Sequence, residues 1–267
     1  MDRSVSRVQR AWDTLANVDP MWAILTDPSK LGLKWSEVDF FESGHREIGD
    51  LMAEIDRLVP GAPRDHALDF GCGIGRLSGA LAEYYGHVDG VDVAPSMVSL
   101  ARERNAHPDR CIFHLNPASN LRLFTDQTFD LIYSNIVLQH IQPSLALRYI
   151  SEFARCAKPG GLVVFQAPHR RRLNAASLRR YVLHGAYAIL PVWAVKIYRR
   201  TKYKGLDRTV IDRLPKTPME IHAVHQKRVE KALGRQFRLL MASDPHPPDD
   251  AFEGRKYFFR KILTTAE

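Results

Sequence analysis

The chain has 267 residues, of which 45% are hydrophobic and 25% are charged, and its formal net charge is +8 at pH 7. This average composition excludes a disordered, collagen-like or coiled-coil chain, and the length suffices for one large domain with an ordinary core. Only three cysteines occur, which argues against a disulfide framework and against a structural zinc site. The first residues lack the apolar stretch of a signal peptide, so we expect a cytoplasmic protein.

Two helices are predicted in the N-terminal region, over residues 3–17 and 36–58. Ser36 is a suitable N-cap for the second helix, and apolar residues then recur along it at helical spacing. Proline and glycine at 60–63 interrupt the chain after that helix. We therefore predict a helical cap over residues 1–62.

Short apolar strands alternate with helical stretches from residue 63 onward. Such alternation is typical of a parallel sheet that is covered by helices on both faces. Near the C-terminus, a helix over 224–233 is followed by two strands with only a Pro/Asp loop between them, so this last pair must be antiparallel. The predicted strands cover residues 67–70, 88–93, 111–115, 129–134, 162–166, 236–241 and 256–262, and the helices between the first five cover residues 75–85, 95–104 and 143–157.

The positive charge is concentrated in one segment. Residues 169–216 contain 13 Lys/Arg and 2 acids, whereas the remainder contains 25 Lys/Arg and 28 acids. The apolar middle of this segment, residues 181–198, is shorter than the roughly 20 residues of a membrane-spanning helix. A helical pair packed on the core, a lid over an apolar substrate, a helix at an anionic membrane interface and a solvated basic face all remain open.

The most informative stretch is the glycine-rich loop over residues 69–76, which follows a predicted strand and opens a helix. Glycines let the backbone turn sharply there and approach a ligand closely. Asp92 ends the next strand, where a carboxylate can accept hydrogen bonds from both hydroxyls of a ribose. The combination predicts a cofactor that contains adenosine.

Two details of the loop argue against NAD and FAD. The third glycine stands at Gly75, and position 76, where a dinucleotide fingerprint has glycine, is Arg76. Asp69 would repel a pyrophosphate but suits a cationic amino group. These features favour a ligand with adenosine at one end and positive charge at the other, as in S-adenosylmethionine.

Four stretches in order resemble the motifs of the class I (Rossmann-like) S-adenosylmethionine-dependent methyltransferases, in particular those of methyltransferase type 11 and type 12. The resemblance extends over about residues 64–167, and its motifs are Leu68–Gly75, Val91–Met97, Phe129–His140 and Lys158–Gly161. It implies a three-layer α/β fold: a Rossmann-like parallel sheet with an antiparallel last strand, N-terminal helices and a basic, mostly helical insertion after the fifth strand. The implied units are the cofactor-binding core over 63–168, the insertion over 169–216, as a lid or substrate region, and a closing helix and strand hairpin over 217–267.

The resemblance also implies where the cofactor contacts this chain. The loop glycines would lie along the methionine moiety, Asp69 would organise its ammonium group, and Asp92 would bind the ribose. Val93 and Met97 would flank adenine. The full set assigned to the cofactor is Asp69, Gly71, Cys72, Gly73, Gly75, Arg76, Asp92, Val93, Met97, Asn116, Ala118, Ser134 and Asn135.

The adenine contact departs from the family. Its members often carry an acid soon after the third strand to bind the adenine amine, whereas residues 115–120 contain none. We expect Asn116, or a backbone group near Ala118, to take that place.

Three residues are candidates for catalysis. His140 follows the fourth strand, where substrate and methyl group should meet in this family, and it is either a general base or a histidine that orders its loop. His222 and His225 have a spacing compatible with one helix face and a divalent ion, although a helix entry with at most one functional histidine is favoured and no metal is predicted. In the N-terminal cap, His45 or Glu47 is placed so that it can face the pocket, although an exposed polar turn is slightly favoured there.

These observations predict methyl transfer from S-adenosylmethionine, with S-adenosylhomocysteine as product, to a hydroxyl of a small or amphipathic acceptor. Weak similarity to bacterial members that modify glycans and natural products favours a sugar, glycan, lipid or natural-product acceptor. One alternative is an RNA or other nucleic-acid acceptor, which would make binding salt-sensitive. The other is a non-catalytic protein that binds a membrane or a partner. We expect a monomer or homodimer, with peripheral contact to an anionic membrane through residues 169–216.

Overall fold

The computed structural model describes residues 3–203, 206–216, 219–244 and 251–263. Seven strands form one sheet within these ranges. They are β1 (His66–Phe70), β2 (His87–Asp92), β3 (Cys111–Leu115), β4 (Phe129–Ser134), β5 (Ala157–Arg171), β6 (Phe237–Ser243) and β7 (Phe252–Lys261). The helices are α1 (Arg3–Ala16), α2 (Pro20–Ile24), α3 (Glu37–Leu58), α4 (Arg76–Leu81), α5 (Pro95–Glu103), a 3-10 helix (Leu138–His140), α6 (Pro143–Cys156), α7 (Ala175–Ile189), α8 (Val192–Lys202), α9 (Arg208–Arg213) and α10 (Gln226–Leu233).

The strand order is β3-β2-β1-β4-β5-β7-β6. β1 to β5 run parallel, and β7 is inserted antiparallel between β5 and β6. This arrangement confirms the predicted α/β class with its antiparallel last strand. The order reverses between β1 and β4, and ligands bind at such a switch point in open α/β sheets.

Each face of the sheet carries its own apolar layer. In β5, Val163 and Phe165 face one layer, which includes α6 and α10, while Leu162 and Val164 face the other, which includes α3, α4 and α5. Successive residues of a strand point to opposite faces, so a strand covered on both sides is apolar throughout. This is why β4 and the middle of β5 were recognisable as mainly apolar runs.

Several element boundaries differ from the predictions. The helix predicted over 75–85 ends at Leu81. β5 extends beyond the predicted 162–166, because β7 pairs with it as far as Arg171 opposite Phe252. The prediction of a helix from Val224 is wrong, since α10 begins only at Gln226. The Pro/Asp loop predicted before β7 lies in 245–250, outside the described residues.

The N-terminal helices are anchored beside the switch point. Asp13 of α1 accepts hydrogen bonds from the backbone nitrogen of Ser96 (3.0 Å) and from its hydroxyl (2.6 Å), at the start of α5. Asp19, which is buried, caps α2 by accepting from the nitrogen of Trp22 at 3.2 Å. These contacts hold α1 and α2 over the carboxyl ends of the strands.

The basic segment folds into α7, α8 and α9. The side chain of Arg199 is buried and donates hydrogen bonds to the carbonyl oxygens of Leu214, Pro215 and Lys216, which fastens α8 to the chain that follows α9. Within the described ranges, no helix has the length and apolar character needed to cross a membrane.

Candidate active site

A cavity lies at the carboxyl ends of β1, β2 and β4, beneath α1 and α2. It holds about 990 Å³ of empty space, part of which is open to solvent. Nine of the predicted site residues line it together with apolar side chains from α1, α2, α4 and α6, from the ends of β1 and β2, and from the segment after β4. The nine are Gly71, Cys72, Gly73, Arg76, Asp92, Val93, Met97, Asn116 and Asn135.

The glycine loop forms the floor of this cavity. Gly71, Gly73 and Gly75 all have positive φ, of 80°, 54° and 88°. A β-carbon on Gly71 would come within 2.3 Å of Val137 Cγ2, so the turn excludes any larger residue there. Gly75 itself does not line the cavity, and it caps α4 in a left-handed conformation.

Asp92 stands at the end of β2, next to the loop. One carboxylate oxygen accepts from the backbone nitrogen of Gly73 at 3.0 Å and the other from that of Ala94 at 2.9 Å. Burial raises the pKa of this carboxyl above its usual value, against the effect of the two hydrogen bonds. Each oxygen retains acceptor capacity, which fits the hydroxyls of a ribose.

Arg76 lies at the other side of the loop, at the start of α4. Its guanidinium is buried, and Nη2 is 2.7 Å from Glu47 Oε2. Its Nε is buried without a hydrogen-bond partner, and the residue lines the cavity. An orphaned donor of this kind fits a carboxylate, which is the group at the amino-acid end of S-adenosylmethionine.

Glu47 does not line the cavity, and both of its oxygens are engaged. Oε1 accepts from the Tyr133 hydroxyl at 2.9 Å and from the Asn135 amide at 2.6 Å, while Oε2 pairs with Arg76. This arrangement places Glu47 behind the residues that face the cavity, where it orients them.

Asp69 also lies behind the cavity wall. It is 1% exposed and accepts a hydrogen bond from the Ser78 hydroxyl at 2.6 Å. Burial raises its pKa to about 7. Its contact with an ammonium group remains a prediction.

The predicted adenine end is largely apolar. Val93, Met97 and Asn116 line the cavity there. Asn116 is buried, and its side chain donates to the carbonyl of Asn120 at 2.8 Å and accepts from the nitrogen of Ala118 at 3.2 Å. Ala118 itself does not line the cavity, so Asn116 shapes this loop around the space where adenine is expected.

The end of β4 carries backbone strain. Ser134 is buried, outside the cavity lining, and ties β4 to β1 by donating to the Phe70 carbonyl at 3.0 Å. Ile136, which lines the cavity, has φ 61°, an unfavourable value for a β-branched residue. Its nitrogen donates to the side-chain oxygen of Gln166 at 3.1 Å. Such strain is concentrated at functional sites.

His140 does not line the cavity and lies behind one of its wall residues. Its Nδ1 is 3.1 Å from the Glu220 carbonyl oxygen and its Nε2 is 3.0 Å from the Gln139 amide. Its ring packs edge-on against Trp12, a residue of the cavity wall, at 5.4 Å. Burial lowers the pKa of His140 to about 4, so the ring is neutral at pH 7.

His222 is outside the cavity lining. Its nitrogen donates to the Gln139 carbonyl at 2.8 Å, and its ring lies 3.4 Å from the Glu220 carboxylate. His222 precedes α10 and His225 is its N-cap, so the pair lies at the helix entry that was favoured and does not share a helix face. Within the described residues, no group of three or more His, Cys, Asp or Glu side chains is arranged to hold a metal ion.

Several cavity residues were missed because they belong to the cap. Val5, Val8 and Trp12 of α1 and Ile24 of α2 form the roof. The first three follow the spacing i, i+3, i+7, which marks one face of a helix. That pattern predicts a buried face but does not reveal what the face covers.

Comparison with known proteins agrees with this geometry. Residues 67–161 match the family model of a methyltransferase domain. Phosphoethanolamine N-methyltransferase of Triticum aestivum is 39% identical over 127 residues, covering 47% of this chain and 24% of that protein. Ubiquinone biosynthesis O-methyltransferase of Hydrogenovibrio crunogenus is 28% identical over 137 residues, covering 51% and 56%. The chain thus spans less than two thirds of the length of both relatives.

Solved structures are similar over nearly the whole chain. Magnesium protoporphyrin IX methyltransferase of Synechocystis PCC 6803, with bound SAH, has a TM-score of 0.62 at 16% identity, covering 97% of this chain and 99% of that one. A SAM-dependent methyltransferase of Leishmania major has a TM-score of 0.59 at 17% identity, covering 96% and 82%. Residues 67–161 therefore carry a methyltransferase domain, and the chain shares the fold of solved SAM-dependent methyltransferases.

Proposed function

We propose that this protein transfers a methyl group from S-adenosylmethionine to a hydroxyl of a small or amphipathic acceptor. The proposal rests mainly on two polar residues, Asp92 and Arg76, that line the same cavity. Asp92 lies at the end of β2, and the buried Nε of Arg76 has no hydrogen-bond partner. An adenosine cofactor that ends in an amino acid offers hydroxyls to the first and a carboxylate to the second.

The cofactor supplies a methyl group already activated by its sulfonium, and it leaves as neutral S-adenosylhomocysteine. The task of the protein is alignment and exclusion of water. Asp92 and Arg76 orient the two ends, and Val93 and Met97 enclose the adenine. The apolar roof from α1 and α2 keeps water from the reacting atoms.

A hydroxyl acceptor must also lose a proton, and we assign its removal to His140. Donation from Nδ1–H to the Glu220 carbonyl leaves the lone pair on Nε2, which the Gln139 amide now occupies. When an acceptor hydroxyl replaces that amide, the oxygen takes the methyl group and its proton passes to Nε2. The lowered pKa keeps Nε2 unprotonated across the neutral range.

The lining of the cavity supports an acceptor with an apolar part. Val5, Val8 and Trp12 offer no charged group, and Trp12 is the wall residue that contacts His140. A sugar-bearing lipid or a natural product combines a hydroxyl with such an apolar body. The relative from Hydrogenovibrio crunogenus, named as an O-methyltransferase, supports oxygen as the nucleophile.

Cofactor binding is tested by calorimetric titration with S-adenosylhomocysteine, in the presence and absence of NAD. We expect saturable binding that NAD leaves unchanged and that Asp92→Asn weakens by about tenfold or more, since charged hydrogen bonds to the ribose are lost. Asp109→Asn, a change at an exposed aspartate, is the matched control. Absence of binding to the wild-type protein would contradict the proposal.

The base is tested by turnover on a panel of hydroxylated amphiphiles, with amines and RNA as alternative acceptors. Removal of a general base costs about 10²–10⁴-fold in rate, so His140→Gln should retain cofactor binding but lose turnover on hydroxyl acceptors. Full turnover by the variant would show that His140 only orders its loop. Methylation confined to amines or to RNA would replace the hydroxyl in the proposal.

A further inference from the structure

The hairpin of α7 and α8 leaves an unusual amount of apolar surface uncovered. Among the described residues, eleven of the eighteen exposed large hydrophobic side chains lie between Leu173 and Tyr198. Trp193 is 66% exposed and Ile189 is 86% exposed. Scattered apolar residues are normal on a protein surface, whereas a concentration in one hairpin indicates a binding face.

These side chains follow helical spacing. In α7, Leu178, Tyr181 and Val182 recur at i, i+3, i+4, which places them on one face of the helix. In α8, Trp193 and Ile197 recur at i, i+4. Each of the two helices therefore presents an exposed apolar face, while Ser177 of α7 and Val195 and Arg199 of α8 are buried.

The charged residues of the hairpin are all basic. Residues 175–202 contain six Lys/Arg and no acid. Arg199 is turned inward to backbone carbonyls and Arg200 pairs with Asp212, whereas Arg179 is exposed next to the apolar face. Aromatic and aliphatic residues mixed with basic ones, without acids, complement the headgroups and acyl boundary of an anionic bilayer.

The hairpin also adjoins the candidate base. Arg180 of α7 acts electrostatically on His140 and lies 5.6 Å from the Phe252 ring. Lys216 donates to the Ala188 carbonyl at 3.0 Å, so the segment that leads toward Glu220 is tied to the hairpin. Arg180 and Lys216 therefore connect the hairpin to the part of the chain that surrounds His140.

We propose that the α7–α8 hairpin docks the protein on an anionic lipid surface, with Trp193 and its apolar neighbours entering the interface. Docking itself is independent of catalysis. A docked protein could take its acceptor from the membrane, and this second step rests on the function proposed above. A second copy of the chain is the competing occupant of this face.

Sedimentation with vesicles tests the docking. The vesicles consist of phosphatidylcholine alone or with about one third phosphatidylglycerol, and the protein should sediment only with the anionic ones. Trp193→Ser combined with Ile197→Ser should reduce binding by about tenfold or more, since both side chains lose the apolar interface. Val38→Ser, at an exposed apolar residue of α3, is the matched control.

Charge is tested separately. Arg179→Gln should weaken vesicle binding by roughly fivefold, the factor expected for one basic residue near an anionic surface. Arg122→Gln, at an exposed arginine elsewhere, should leave binding unchanged. Equal binding of all variants, or no binding by the wild-type protein, would overturn the proposal. The proposal would also be overturned if the wild-type protein is a dimer that does not bind vesicles and the Trp193/Ile197 variant is a monomer. The face would then be an interface between copies.

Titration with S-adenosylhomocysteine separates this proposal from the proposed function. The hairpin variants should bind it like the wild-type protein, because none of the changed residues lines the cavity. Loss of lipid binding with retained cofactor binding therefore tests the hairpin alone. Failure of the wild-type protein to bind the cofactor, with lipid docking retained, would contradict only the methyltransferase function.

Discussion

The carboxylate of Glu47 pairs with the guanidinium of Arg76 across 2.7 Å, and its other oxygen accepts from Tyr133 and Asn135. One side chain of α3 thereby connects the helix after the glycine loop with the end of β4. Arg76 and Asn135 both line the cavity. The N-terminal cap therefore positions cavity residues as well as covering them.

Glu47→Gln should separate positioning from chemistry. The neutral amide leaves the buried Arg76 guanidinium without its counter-charge, which costs about 2–4 kcal/mol of unfolding free energy. We expect a clear rise in KM for S-adenosylmethionine with a small change in kcat, measured alongside urea denaturation. Glu42→Gln, an exposed glutamate of the same helix, is the control. A large loss in kcat at unchanged KM would instead make Glu47 catalytic.

Two glycines of α3 should respond in opposite directions to alanine. A β-carbon on Gly44 would lie 2.4 Å from the Arg76 carbonyl oxygen, so Gly44→Ala must separate α3 from α4 and destabilise by about 1–3 kcal/mol. At Gly49 the nearest atom would be the Tyr84 hydroxyl at 3.8 Å. Gly49→Ala should therefore stabilise by about 0.5–1 kcal/mol through helix propensity. Thermal denaturation compares the two, and equal effects would contradict the close approach of the helices.

Because of Asp69, the free energy of unfolding should decrease as the pH rises from about 4 to about 7. Burial raises its pKa to about 7 in the folded state, so the folded protein binds a proton there that the unfolded chain releases. Asp69→Asn still accepts from the Ser78 hydroxyl, and above pH 7 it should be more stable than the wild-type protein by about 2 kcal/mol.

Urea denaturation at several pH values checks this, and the difference should vanish below about pH 4. The same variant tests the predicted contact with the cofactor ammonium. If Asp69 acts there, the more stable variant binds S-adenosylhomocysteine more weakly. Unchanged binding would leave Asp69 with a structural role only.

Asp89 should have the opposite pH dependence. Burial alone would raise its pKa, but hydrogen bonds from His114 (2.6 Å) and His66 (2.8 Å) outweigh it and lower the pKa to about 2. The stabilisation is complete above the usual value near 4 and is lost as the pH falls through 2. Asp89→Asn should cost about 1–2 kcal/mol at pH 7, with a difference that narrows in acid. A constant difference from pH 7 to pH 3 would contradict this assignment.

The strands of the sheet differ in how well their bounds could be predicted from the sequence. β4 begins and ends at the predicted residues, because it is buried on both faces and such a strand is an apolar run with polar flanks. β3 also has its predicted bounds, although it is an edge strand and its Ile112 is exposed. β5 was predicted too short because its extension depends on β7, which is about ninety residues away in the chain. Pairing partners of that kind leave little local signal.

By itself, the sequence determined the α/β class, the glycine turn and the acid at the end of β2, because these depend on local backbone geometry and on alternation along the chain. Only the tertiary structure decided which side chains meet. It placed Asp69 and Glu47 behind the cavity wall, left the buried Nε of Arg76 without a hydrogen-bond partner, and brought Trp12 against His140. Those contacts join residues far apart in the chain, and their geometry arises from the packing of whole helices on the sheet.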